Sequence, residues 1–148
     1  MALETTEITD QIYTSSEFES GDITRIKELG FGAVVDLRQE ASDSGELIRN
    51  AGLGFLHVGI TDHENPEIGQ LEEVWGFTDA FLDRGEKVLI HCRAGTGRAP
   101  MAAISILAHR GMDYNGAVDF VIRKHGNTGF SEVQERFMRG KLAEYFRK

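Results

Sequence analysis

Residues 91–98, HCRAGTGR, place a thiol, two glycines and two arginines within one short segment. Successive backbone N–H groups of such a segment can point inward around an anion, and glycine permits a close approach. The planar guanidinium of Arg98 can bind two phosphate oxygens at once, which a lysine cannot do. The pattern therefore predicts a phosphate-binding loop with Cys92 at its centre.

A cysteine in this position is a candidate nucleophile. The ring of N–H groups, the positive end of a helix that begins at Arg98 and the nearby guanidinium all favour a thiolate. Settings of this kind lower the pKa of a cysteine from about 8.5 to roughly 3.5–7.5. The alternative is a buried core cysteine followed by an ordinary turn, which leaves the spacing of the surrounding His, Gly and Arg to chance.

The elements around this loop alternate between strands and helices. Strands are predicted at Ile12–Thr14, at the short apolar stretches Ala33–Leu37 and Val88–Ile90, and at Phe55–Ile60, which alternates. Periodicity and terminal residues predict helices over Asp22–Leu29, Gly45–Ala51, Pro66 to Gly85 and Arg98–Arg110. Two more are predicted from their caps: one capped by Asp113, and a last one that begins at Ser131 and carries Tyr145. Strands separated by helices favour a single α/β domain over residues 1–148, with a central, mostly parallel sheet flanked by helices.

Composition excludes several classes of function. The 148 residues include 16 Lys and Arg against 24 Asp and Glu, a net charge of −8, which disfavours binding to nucleic acid or to anionic membranes. A single cysteine excludes an intramolecular disulfide, and the histidines lack metal-ligand spacing. The acidic N-terminal segment lacks the apolar core of a signal peptide, and no segment is apolar for long enough to cross a bilayer. We expect a cytoplasmic protein without metal, cofactor, membrane anchor or nucleic-acid partner.

The spacing His91-Cys92-x5-Arg98 is the signature of cysteine-based protein phosphatases, and the order of elements resembles the small dual-specificity branch of that superfamily. Within this branch, HCRAGTGRAP followed by GMDYNGAVDFVIRKHG is similar to the phosphatases of regenerating liver. Plant glucan phosphatases share the Gly-Arg-Ala-Pro variant, so this tetrapeptide does not select a substrate. The resemblance implies metal-independent hydrolysis of phosphomonoesters, on a phosphorylated protein or a small molecule, through a phosphocysteine.

The resemblance also implies a role for each site residue. Cys92 attacks phosphorus, Arg98 and the loop hold the phosphate, and Asp62 protonates the leaving oxygen. Asp62 follows a predicted strand, at the sheet edge where α/β domains carry their sites, although it could instead cap the next helix. Glu64 and then Asp36 are weaker candidates for the acid. The remaining predicted phosphate-binding residues are His91, Arg93, Ala94, Gly95, Thr96 and Gly97.

Two of these assignments have alternatives, and the chain also departs from the family pattern. His91 orients the loop in the family, but it could be a hydrogen-bonded histidine at a strand end. Gln134 fits either a residue that positions water or the third residue of a capping box begun by Ser131.

Most active relatives have Ser or Thr where this chain has Ala99, and that hydroxyl helps the sulfur to leave. Its loss costs about 1.5–3 kcal/mol and predicts slow hydrolysis of phosphocysteine.

Three hypotheses from different classes follow. The first is an active phosphatase. The second, which Ala99 suggests, is a slow or inactive domain whose phosphate pocket mainly serves to bind a partner. The third is a sulfur-carrying transferase, which Asp62 and the spacing of Arg98 disfavour. Whether the substrate carries phosphotyrosine, phosphoserine, phosphothreonine or a non-protein phosphate depends on pocket depth, which the sequence leaves open. The second regulatory cysteine, prenylated tail and basic C-terminus of the regenerating-liver phosphatases are missing, so neither anchoring nor an intramolecular redox switch is expected.

Overall fold

One five-stranded sheet organises the molecule. In the computed structural model, which describes residues 3–147, the strands are β1 (Thr5–Glu7), β2 (Ile12–Ser15), β3 (Phe31–Arg38), β4 (Gly54–Ile60) and β5 (Lys87–His91). Their order in the sheet is β1-β2-β5-β3-β4. All neighbours pair in parallel except β1, which is antiparallel to β2. The predicted α/β class with a mostly parallel sheet is confirmed.

Helices cover both faces of this sheet. They are α1 (Ile23–Glu28), α2 (Gly45–Asn50), α3 (Ile68–Leu82), α4 (Arg98–His109), α5 (Tyr114–His125), α6 (Glu132–Phe137) and α7 (Ala143–Phe146). A 3-10 turn precedes α1, and a π-helical turn separates α6 from α7 within the predicted last helix. No helix in the described part of the chain is long and apolar enough to cross a membrane.

The central strands are buried on both faces, as parallel strands between two helical layers must be. Alternate residues of β3 pack on opposite sides. Val34 belongs to the smaller apolar cluster with α1 and α2, whereas Ala33 and Val35 belong to the larger one with α3, α4 and α5. Helix α4 is buried along most of its length. The predicted phosphate loop therefore joins the middle strand of the sheet to its most buried helix.

The helix caps that the sequence predicts are present. The Asp113 carboxylate accepts a hydrogen bond from the Gly116 N–H at 3.1 Å, and the Ser131 hydroxyl accepts one from the Gln134 N–H at 3.1 Å. Strand β1 was not predicted. It is a short polar edge strand that pairs with β2. Because its residues show no apolar periodicity, the sequence contains no pattern that predicts it.

Candidate active site

The predicted catalytic residues meet at one cavity of about 250 Å³. Cys92 directly follows β5, Arg98 begins α4, and Asp62 lies just beyond the end of β4. Cys92 and Arg98 are only 2% and 1% exposed. Of the other predicted residues, those that line the cavity are Arg93, Ala94, Thr96 and Gly97. Sequence reasoning did not predict that His63 and Gly129 also line it.

The phosphate loop, residues 92–97, is tied to the rest of the molecule through its backbone. Its Arg93 carbonyl accepts a hydrogen bond from the Glu17 N–H at 2.9 Å. Gly95 has φ 80°, in the left-handed region that favours glycine. A Cβ on Gly95 would lie 2.9 Å from backbone atoms of Ser15 and Ser16, so the site requires glycine for space as well. Gly95 is not among the described residues that line the cavity. It lies against the backbone of Ser15 and Ser16, where a larger residue would not fit.

Arg98 is held in a fixed orientation before any substrate binds. Its two Nη atoms donate to the two Glu40 carboxylate oxygens, each at 2.9 Å, and Nη1 also donates to the Ile60 carbonyl at 2.7 Å. Nη2 lies 3.3 Å from Asp62 Oδ1. Within residues 3–147, the buried Nε has no hydrogen-bond partner. One buried donor of the guanidinium is therefore left unpaired by the described residues.

Electrostatics at Arg98 favour its charge. Burial opposes the charged form, but the Glu40 hydrogen bond and the charges of Cys92 and Asp62 outweigh burial and raise the pKa of Arg98. The same hydrogen bond lowers the pKa of Glu40 to about 2. Glu40 was missed by the sequence analysis. Its position just after β3, at the same sheet edge as Cys92, is the signal that could have found it.

Asp62 lies in a more exposed segment, the acid loop, which comprises residues 61–66. Its side chain is 40% exposed, and Oδ1 accepts a hydrogen bond from the His63 N–H at 3.0 Å. His63 has φ 65°, an uncommon conformation for a residue other than glycine. Neither weaker acid candidate is among the described residues that line the cavity: the Asp36 side chain is fully buried, and Glu64, although part of the acid loop, does not reach the cavity wall.

The start of α6 holds the acid loop. The Ser131 hydroxyl donates to the His63 carbonyl at 2.5 Å, and the Gln134 side-chain amide donates to the Glu64 carbonyl at 3.2 Å. The other end of the Gln134 amide accepts from the Ser131 N–H at 3.0 Å. The predicted capping box is therefore present. Gln134 also lines the cavity, so its predicted role toward water stays open.

His91 lies behind the nucleophile and does not line the cavity. The ring is fully buried, and its Nε2 lies 2.6 Å from Asp43 Oδ2. Arg38 donates to both oxygens of Asp36 and to Asp43 Oδ1, each at 3.0 Å. Burial opposes ionisation of Asp36, but the Arg38 hydrogen bonds and the charge of His91 outweigh it and lower the pKa of Asp36.

The carboxylates around His91 are spaced closely enough to suggest a metal centre. Ligand atoms of Asp36, Asp43 and His91 lie within 4.8 Å of one another. Arg38, however, already supplies a positive charge to both carboxylates. These contacts favour a buried charge network that fixes His91 beneath the phosphate loop over a site for a cation.

Comparison with known proteins agrees with this geometry. A family model described as "Polymorphic toxin system, DSP-PTPase phosphatase" matches residues 11–112. The chain belongs to this phosphatase family. The matched range contains the phosphate loop, Arg98 and the acid loop. The predicted membership of the cysteine-based dual-specificity phosphatase superfamily is confirmed.

Individual relatives support the same assignment. The chain is 24% identical over 123 residues to human dual specificity protein phosphatase 9, which covers 82% of this chain and 32% of that protein. It is 31% identical over 111 residues to bovine protein tyrosine phosphatase type IVA 3, which covers 71% of this chain and 61% of that protein. The chain thus spans about a third of the length of the first of these relatives.

Solved structures confirm the fold of this chain. The crystal structure of Tk-PTP in the active form superposes with a TM-score of 0.83 at 26% sequence identity. The match covers 95% of this chain and 96% of that one. The fold of the chain is therefore shared almost from end to end with a solved phosphatase structure.

Proposed function

We propose that this domain is a metal-independent phosphatase that hydrolyses phosphomonoesters through a phosphocysteine on Cys92, with Asp62 as the general acid. The observation that carries the proposal is that Cys92, Arg98 and Asp62 share one small cavity. A nucleophile, an oxyanion clamp and a proton donor are the components that this two-step reaction requires. The complete set favours a phosphatase over a partner-binding pocket or a sulfur transferase.

In the first step, the Cys92 thiolate attacks phosphorus and forms a P–S bond. The bond between phosphorus and the leaving oxygen breaks, and that oxygen takes the proton of Asp62. Loop N–H groups and Arg98 stabilise the negative charge on the remaining phosphoryl oxygens. Because Glu40 already orients the guanidinium, little reorganisation is needed when the charge develops. These groups do the work that a metal ion performs in other phosphatases.

In the second step, water attacks phosphorus and gives a proton to the Asp62 carboxylate. The P–S bond breaks, inorganic phosphate forms and Cys92 leaves as a thiolate. Ala99 is the second residue of α4 and is fully buried. Its side chain has no hydroxyl that could donate a hydrogen bond to the departing sulfur. This step is therefore the slow one in the proposed cycle.

The relatives support a proposal for the substrate class. Dual specificity and tyrosine phosphatases are named for their action on phosphorylated protein side chains, and both kinds are similar to this chain. We extend that class to this domain and expect phosphotyrosine, phosphoserine or phosphothreonine in a protein to be hydrolysed. A small phosphomonoester serves as a surrogate because the chemistry acts on the phosphoryl group alone.

The test is steady-state hydrolysis of an aryl phosphate and of phosphopeptides with a metal chelator present throughout. We expect phosphate release by the wild type, none by Cys92→Ser, and a loss of about 10²-fold or more for Asp62→Asn with poor leaving groups. Lys124→Ala, a change at an exposed position on α5, is the matched control and retains full activity. Activity that survives in Cys92→Ser or disappears with chelator would contradict the proposal.

A further inference from the structure

One carbonyl of the phosphate loop is held by a side chain. His125 Nε2 lies 2.8 Å from the Gly95 carbonyl oxygen. His125 is the last residue of α5 and is separated from Gly95 by 30 positions. Because a carbonyl only accepts hydrogen bonds, Nε2 must carry the proton. The other ring nitrogen, Nδ1, is buried and has no partner in the described part of the chain.

The direction of this carbonyl decides what the cavity offers to an anion. In a trans peptide, the C=O of Gly95 and the N–H of Thr96 point to opposite sides. With the Gly95 oxygen held outside by His125, the N–H of Thr96 is directed toward the cavity, which Thr96 lines. If the peptide turned over, an oxygen would replace that donor and repel a phosphate.

The Gly95–Thr96 peptide is free to rotate unless its carbonyl is held by a hydrogen bond. Glycine rotates about its backbone bonds with little steric cost, and Gly95 already has a positive φ of 80°. The neighbouring carbonyls of Arg93 and Thr96 are held by backbone N–H groups of Glu17 and Gly129, at 2.9 and 2.7 Å. The Gly95 tie comes from a side chain and can be removed by mutation.

We propose that His125 is a positioning residue that keeps the phosphate loop in its anion-binding conformation by holding the Gly95 carbonyl outside the cavity. The inference rests on the proposed function, since it assumes that the loop binds an oxyanion. Loss of the tie allows the Gly95–Thr96 peptide to turn and removes one donor from the bound anion. The expected effect is about a tenfold weaker oxyanion affinity, the usual size for one hydrogen bond to a charged group.

The experiment measures equilibrium binding of inorganic tungstate to the full chain, without any turnover. We compare the wild type with His125→Ala, His125→Gln and Lys124→Ala, and record the melting temperature of each variant without ligand. His125→Ala should bind about tenfold more weakly. His125→Gln should restore most of the affinity, because the amide N–H of glutamine reaches roughly where Nε2 lies. Lys124→Ala should bind like the wild type.

The outcomes separate this inference from the proposed function. If the wild type binds tungstate and His125→Ala binds equally well, the inference is wrong while the phosphatase proposal stands. If His125→Gln is weakened as much as His125→Ala, the histidine acts through packing and the inference is also wrong. If the wild type binds no oxyanion, both are wrong.

A second variant and a kinetic readout cover the case in which His125→Ala does not fold. His125→Asn keeps a polar amide on a smaller side chain that is too short to reach the Gly95 carbonyl. It should bind tungstate more weakly than His125→Gln at a similar melting temperature. With an aryl phosphate, the variants without the tie should show a raised KM and a smaller change in kcat, whereas a general loss of folded protein lowers kcat alone.

Discussion

The phosphate loop and the acid loop, which supply the two halves of the proposed chemistry, are built differently. Cys92 and Arg98 are almost fully buried, between the middle strand of the sheet and its most buried helix. Asp62 has a side chain that is 40% exposed, in a segment held from α6 by Ser131 and Gln134. One region is anchored at both ends by the core, and the other rests on side-chain hydrogen bonds near the surface.

The difference matches what each region must do. An oxyanion clamp stabilises a transition state best when its donors are fixed before the reaction, and burial between packed elements fixes them. A general acid must let the substrate enter and must then approach its leaving oxygen. Segments with exposed backbone and few buried apolar contacts open at lower free energy than the core does. Burial of Cys92 and Arg98 and exposure of Asp62 therefore suit the roles proposed for them, a fixed oxyanion clamp and an acid that can approach its substrate.

Replacing the clamp should have the largest effect. Arg98→Lys keeps a positive charge but removes the planar donor pair and leaves the Glu40 carboxylate without its two-point partner. We expect kcat/KM to fall by about 10²–10³-fold with good and poor leaving groups alike. Steady-state kinetics on two aryl phosphates of different leaving-group acidity checks this. A loss confined to the poor leaving group would show that Arg98 acts on protonation of the leaving oxygen and not on the phosphoryl oxygens.

The missing hydroxyl after Arg98 should have the next largest effect. Ala99→Ser supplies a donor to the departing sulfur and should raise steady-state turnover by roughly 10- to 150-fold if the full effect is felt. The initial rate of phosphocysteine formation should stay unchanged, so the burst becomes smaller. Rapid-mixing kinetics separates the two phases. Equal burst amplitudes in Ala99→Ser and the wild type would show that dephosphorylation is not the slow step.

Freeing the acid loop should have a smaller and more selective effect. Ser131→Asp keeps an acceptor that caps α6 but lacks the hydroxyl that donates to the His63 carbonyl. We expect kcat/KM to fall about fivefold with a poor leaving group and to stay constant with a good one. Ser131→Thr retains both hydrogen bonds and serves as the control. An equal loss with both leaving groups would mean that Ser131 supports the fold rather than the acid.

The Glu40–Arg98 pair should give the smallest effect, visible in the pH dependence of stability. The pKa of Glu40 is lowered to about 2 from its usual value of 4.5, so its contribution to the free energy of unfolding is present above pH 4.5. It is lost as the pH falls toward 2. The difference in unfolding free energy between the wild type and Glu40→Gln should therefore shrink across that range. Because the Glu40 side chain is 38% exposed, the difference should be modest.

Local signals in the sequence predicted most of the scaffold and the centre of the site. Strands β3 and β5 contain short apolar runs and β4 alternates, while Cys92, Arg98 and Asp62 each follow or begin a predicted element. Strand β1 escaped prediction because its polar residues join the sheet only through pairing with β2.

The supporting contacts could not be predicted because they join segments that are distant in the chain. Glu40 meets Arg98 across 58 positions, and Ser131 meets His63 across 68. Asp43 reaches His91 only because β3 lies beside β5 in the sheet. No motif marks these residues. Their roles depend on strand order and on how α5 and α6 fold back over the loops.

The phosphocysteine itself provides the most direct test of the account. Acid quenching of the wild type during steady-state hydrolysis of an aryl phosphate, followed by mass spectrometry of the peptides, shows where phosphate is held. The account predicts near-stoichiometric phosphate on Cys92, because Ala99 slows its hydrolysis, and none in Arg98→Lys at the same time points. Steady turnover with no phosphoenzyme at any time, or with phosphate on another residue, would contradict it.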